Sequence, residues 1–380
     1  MEPTQFSSSA PDDEPLPFIS NFQDVFLATG VVLLLVGLTF GAVQLTNGLS
    51  GGETARTLAI SIVFIAASAG LSEVLVRKRR RTLPGIVLAL VFVGSTITAV
   101  MAMYSFFAGA GNGTLFDQFA NVDAGSNEVN VDTDFDWETE INAMAAEIPW
   151  VAKLWFVLTP LAAAWAGMAY YLRYRLPFSV AMIAGSAAAT VFVICGIVAP
   201  ATTVKALPLL QLLLGLAVLV AAIGFDMRDP ERVTRFSNNG FWLHFAAAPM
   251  VLGGALAVAT VGPFYNASDF LSDTAPTMGN AWQALVTLIV IAAFAVIALL
   301  LNRRALLVAG LVSAGTATWV LVRSVGLDNV GGSIAITLIV LGAAVLLLGV
   351  GWNGARRSLL RFVPESGVAS RLFPRVEADG

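Results

Sequence analysis

Residues 225–249 read FDMRDPERVTRFSNNGFWLHFAAAP. This is the densest run of polar residues lying between two long apolar segments, and it holds the only histidine, His244. The flanking segments, 203–225 and 241–262, are each long enough to cross a hydrocarbon layer of about 30 Å at about 1.5 Å per residue. The stretch therefore reads as a polar connection between two membrane-spanning helices.

Composition extends that reading to the whole chain. Of its 380 residues 12% are charged, about half the share in soluble domains. Apolar runs recur at 25–46, 54–76, 83–108, 150–172, 177–198, 203–225, 241–262, 280–301, 304–322 and 332–352. Only helices satisfy their own backbone groups in lipid without closing a barrel, and these runs lack the alternation of barrel strands. The expected fold is all-α: one polytopic helix bundle of about ten transmembrane helices over 25–352, with a polar segment at 1–24 and a tail at 353–380. The single cysteine, Cys195, sits in an apolar run and reads as a small buried hydrophobe.

The basic residues give an orientation. All but Arg56, Lys153, Lys205 and Arg323 of the 21 fall in one set of connections: 77–81, Arg173 with Arg175, Arg228 to Arg235, Arg303 with Arg304, and the tail. The positive-inside rule makes that side cytoplasmic and places both termini there. Asp12, Asp13 and Glu14 with no Lys or Arg ahead of the first span differ from a secretory signal, so that span is expected to remain as an anchor.

The long connection 109–148 then lies outside. It is acidic and contains no basic residue. Within it NVDTDFDWETE (130–140) alternates acid with Val131, Thr133, Phe135, Trp137 and Thr139, the period of a short strand. Asp132, Asp134 and Asp136 imitate the start of a calcium loop. However, Trp137 stands where the loop needs glycine and Ala143 where it needs a bidentate acid. A solvated acidic loop, or a docking surface for a basic protein partner, is the expectation. No metal ligand set, cofactor motif or nucleic-acid motif is found: there is no HExxH, P-loop, GxSxG or CxxC.

Within 225–249, Asp229-Pro230 reads as a helix start, with Glu231 and Arg235 spaced to pair on a short helix at 229–236. Ser237 to Gly240 reads as a turn before the next span. Phe241 and Trp242 then fall at an aromatic belt, His244 one helical turn into the membrane, and Pro249 where a helix kinks or frees a carbonyl. His244 suits proton relay or pH sensing, and equally a hydrogen bond between helices or packing on Trp242 and Phe245. Thr159-Pro160, Pro208 with Gln211, and Pro249 are candidate interruptions that could line a substrate site. Glu73, the acid nearest a span, is expected to pair with Arg77. Gly37 and Gly41 permit close helix approach.

Three further stretches echo one another. RRTLPGIVLALV (80–91), RYRLPFSVAMIA (173–184) and NRRALLVAGLVS (302–313) each open a span after a basic pair. After the last span, Trp352 suits an interfacial anchor, and Leu359, Leu360 and Phe362 set against Arg356, Arg357 and Arg361 suggest a basic amphipathic helix on anionic inner-leaflet lipid, ended by Pro364.

The 225–249 stretch resembles a signature of an uncharacterised family of multi-pass bacterial inner-membrane proteins. The likeness extends to FISNFQDVFLATGVVLLL (18–35), LNRRALLVAGL (301–311) and GVGWNGARRSLLRFVP (349–364). Asn238 departs from it, standing where that pattern often has Asp. The resemblance implies a bacterial cytoplasmic membrane and no known activity. Two roles follow from the sequence as expectations: a structural or regulatory membrane component acting through partners, and a transporter or channel for a small, uncharged solute.

Overall fold

The computed structural model describes residues 22–47, 52–107, 136–229, 235–260, 262–264, 281–301, 306 and 330–361. Among these there are helices and turns and no strand. The helices are α1 (Phe22–Thr46), α2 (Gly52–Ser72, continued by a π-helical turn, Glu73–Lys78), α3 (Thr82–Phe107), α4 (Trp137–Glu147), α5 (Trp150–Tyr174), α6 (Phe178–Val198), α7 (Pro200–Lys205), α8 (Leu207–Arg228), α9 (Arg235–Thr260), α10 (Ala281–Leu301) and α11 (Val330–Leu360).

Seven of them, α1 to α3, α5, α6, α8 and α9, are long and apolar enough to cross a membrane. The fold is thus an all-α, polytopic bundle. α10 and α11 occupy the eighth and tenth expected spans, while the ninth, 304–322, lies outside the described residues apart from Leu306.

Neighbours in sequence pack as neighbours in space. α2 lies on α3, α3 on α5, α5 on α6, and α6 and α10 on α9; α8 and α9 form the most extensive pair. α9 is the most enclosed span, with half of its apolar window buried against 17–22% for the other six. Its inner face, including Leu243, Ala247, Ala248, Val251 and Leu252, is buried. Large apolar side chains such as Phe40, Trp165 and Val220 point outward, as lipid-facing residues do.

The α8–α9 pairing has a simple cause. A Cβ on Gly215 would lie 2.7 Å from the Val251 backbone nitrogen, and one on Gly254 would lie 2.5 Å from that of Leu212. Backbones come this close only where side chains are missing. The sequence pointed to Gly37 and Gly41 instead, yet nothing among the described residues lies within 4 Å of a Cβ at either.

Several local expectations are corrected. Trp137 to Thr139 are helical, not a strand: Asp136 caps α4, accepting from the Glu138 N–H at 3.1 Å and the Thr139 hydroxyl at 2.6 Å. Period-two alternation loses to a strong N-cap; the remainder of the proposed strand lies outside the described residues. Asp229 closes α8, its N–H donating to the Asp226 carbonyl; the short helix expected at 229–236 falls on 230–234, outside the described residues. Ser237 to Gly240 form the first turns of α9, not a turn before it. α11 runs on through position 352 to Leu360, so the described part of the tail continues the last span. The side chain of Trp352 and residues beyond 361 lie outside the described residues.

Candidate functional site

The polar side chains that join helices gather at one end of the bundle. Helix direction brings together the start of α1, the α2–α3 and α5–α6 connections, the end of α8 and the start of α9. Four sets of contacts tie them.

The first links α8 to α9. His244 is fully buried, and its Nδ1 donates to the Gly240 carbonyl at 2.8 Å, since a carbonyl only accepts. Its Nε2 faces Asp226 Oδ2 at 3.7 Å. Asp226 can approach because Gly240 has no side chain; a Cβ there would run into the carboxylate. The acid facing the histidine thus comes from the end of the preceding span, not from position 238, where Asn238 is exposed.

The second joins α5 to α9: Asn239, buried, donates through Nδ2 to the Tyr171 hydroxyl at 2.9 Å. Beside it Trp242 packs edge-on against Phe178 of α6, with centroids 4.8 Å apart, and against Phe241 and Phe245. Phe241 and Trp242 are both buried in the bundle, not displayed at a membrane boundary. Enclosure by α6 overrides the belt expected from sequence position.

The third set joins α2, α3 and α5. Ser72 Oγ lies 2.6 Å from the Ser68 carbonyl, which accepts its proton. The oxygen is then open to the Tyr170 hydroxyl at 2.7 Å, which also lies 3.3 Å from the Gly85 carbonyl. The fourth set is ionic. Glu73 pairs with Arg77 at 3.0 Å, as the spacing predicts, and also with Arg173 at 2.6 Å. Asp24, almost fully buried, pairs with Arg81 at 2.8 Å, and Gln23 accepts from the same guanidinium. Asp24 therefore belongs to the bundle and not to a solvated N-terminal segment.

Next to these pairs lies a cavity of about 600 Å³ between the α2–α3 and α5–α6 connections. Arg77, Arg80, Arg81, Arg173 and Arg175 line it. A much smaller one, about 30 Å³, sits between Thr82, Phe178, Asn238 and Trp242.

The proposed helix interruptions do not converge. α5 runs unbroken through Pro160, where Thr159 donates to the Trp155 carbonyl at 2.8 Å and contacts Met101 of α3. α9 runs unbroken through Pro249, which is exposed on its outer side. Gln211, in the first turn of α8, lies against Gly253 of α9, where a Cβ would come within 2.6 Å of Nε2. Glu231 and the Arg235 side chain lie outside the described residues, so their pairing does too. Asp229 is buried at the end of α8.

Sequence reading missed Asp226, Asn239, Tyr171, Ser72 and Asp24. The available signal was geometric: in an antiparallel helix pair, residues about equally far from the turn meet. Asp226 and Gly240 stand in that relation around the turn between α8 and α9. No group of three or more possible metal ligands occurs among the described residues. The chain matches no protein-family model, no curated protein and no solved structure.

Proposed function

We propose that the protein is a structural or regulatory component of a bacterial cytoplasmic membrane, acting through partners that engage its basic end. That end faces the cytoplasm by the positive-inside rule, and both termini lie there. The acidic 109–148 connection faces the other side and offers a second protein contact. Anionic inner-leaflet lipid accompanies the basic connections and the tail.

The observation that carries this reading is the close packing of α8 on α9. Gly215, Gly253 and Gly254 bring the helices together where Gln211 was a candidate cavity residue. The two described cavities lie instead at the arginine-rich end. Close helix packing at Gln211, with polar contacts gathered at one end, suits an anchor or regulator better than a conduit. The second reading, a transporter or channel for a small, uncharged solute, draws support from the number of spans.

Photocrosslinkers placed at Asn238 and Gly125 in intact membranes test this reading. Discrete protein adducts at either position are expected. Absence of adducts at both, together with solute-selective flux in liposomes, would replace it with the transport reading.

A further inference from the structure

Arg80 and Arg175 carry the only positive φ angles among the described non-glycine residues, 52° and 54°. Arg175 caps α5 and Arg80 follows Arg79, the cap of the π-helical turn; both line the same cavity, one from each of two facing connections. The Arg175 N–H donates to the Tyr171 carbonyl at 2.7 Å, in the C-cap geometry that usually selects glycine. A side chain kept in this strained conformation at two neighbouring positions points to a use for the side chain itself.

The charges agree. Glu73 pairs with both Arg77 and Arg173 and offsets one of their two charges, and Asp24 pairs with Arg81. Among the described residues no carboxylate pairs with Arg80 or Arg175, and both are exposed at the cavity. Two long helices also begin here. Thr82, the first residue of α3, and Pro177, the N-cap of α6, both line the cavity. Each N-terminus adds the positive end of a helix dipole. The echoing stretches that open at 80 and 173 thus meet at one place.

We propose that this cavity binds a phosphate group, gripped by Arg80 and Arg175 and faced by the N-termini of α3 and α6. Guanidinium forks match phosphate oxygens in pairs. The same chemistry serves an anionic lipid headgroup and a free phosphate. The site lies at the basic end that the partner reading uses, but its geometry rests on the α2–α3 and α5–α6 connections alone, so either can fail without the other.

The full chain in phosphatidylcholine nanodiscs, at constant ionic strength, provides the test. The melting temperature is read with added inorganic phosphate, and separately with phosphatidylglycerol in the disc. Stabilisation by phosphatidylglycerol alone assigns a lipid headgroup; stabilisation by inorganic phosphate as well assigns a free phosphate. The double variant R80G/R175G relieves the backbone strain, so its own melting temperature should hold or rise. Its affinity for the effective probe should fall at least about tenfold. R80Q/R175Q keeps the strain and should lose the same affinity, so the outcome does not hinge on the folding of one variant. The proposal is overturned if neither probe stabilises the wild-type chain, or if either double variant retains its response.

Discussion

Asp226 Oδ2 lies 3.7 Å from His244 Nε2 across the α8–α9 contact, in the space left by Gly240. The acid ends one span and the histidine stands one turn after the Ser237–Gly240 run. Their meeting follows from how deep the two helices lie against each other.

The pair should therefore couple energetically. His244→Ala is expected to leave membrane insertion and yield nearly unchanged while costing about 1–3 kcal/mol of stability. Asp226→Asn should cost a similar amount. A double-mutant cycle read by unfolding in detergent should give an interaction of at least about 0.5 kcal/mol. Strict additivity would mean that the two side chains act separately.

Gly240→Ala tests the same joint by overpacking. The new methyl would meet the Asp226 carboxylate, at an expected cost of about 1–3 kcal/mol. Gly37→Ala should cost less than about 1 kcal/mol, since nothing described lies near its Cβ. Thermal unfolding of the two variants side by side checks the contrast.

The α4 cap predicts a pH dependence. The Thr139 hydroxyl holds the Asp136 carboxyl below its usual range; desolvation opposes it, and the Glu138 N–H adds to the lowering. A depressed folded value contributes stability that is fully present above the unfolded value, about 3.9. That contribution is lost as pH falls through the folded value. Hydrogen exchange at the first-turn amides of α4, corrected for intrinsic rate, should be constant from neutrality to about pH 4 and rise below it. Asp136→Ala should show the faster exchange at every pH.

Orientation is tested with Gly125→Cys in a chain whose Cys195 is replaced by alanine. An impermeant thiol reagent should label it from outside in intact spheroplasts. Labelling only after lysis would reverse the topology.

How much of this was legible in the sequence depends on the range of the interaction. Span positions follow from hydrophobic length, a local property, and every described long helix falls on an expected run. The Glu73–Arg77 pair was legible because i,i+4 spacing is also local. The Arg173 contact to the same acid was not, because it depends on how α5 packs against α2. The same holds for His244: its chemistry was visible, but its partner Asp226 required the depth of the α8–α9 crossing. That depth is set by Gly215 and Gly254, two glycines among the 34 in the chain. The alternation misled at 137–139 because period two was read without its competitor, the N-cap at Asp136.

The central claim, a bundle whose chemistry sits at its basic end and not between α8 and α9, is tested most directly by cysteine accessibility. Gln211→Cys and Asn238→Cys, each in the Cys195→Ala background, are treated with impermeant thiol reagent in inside-out vesicles. The account predicts rapid labelling at 238 and none at 211, where the side chain packs on Gly253. Labelling at 211 that a small solute protects would contradict it and open a water-filled path between α8 and α9.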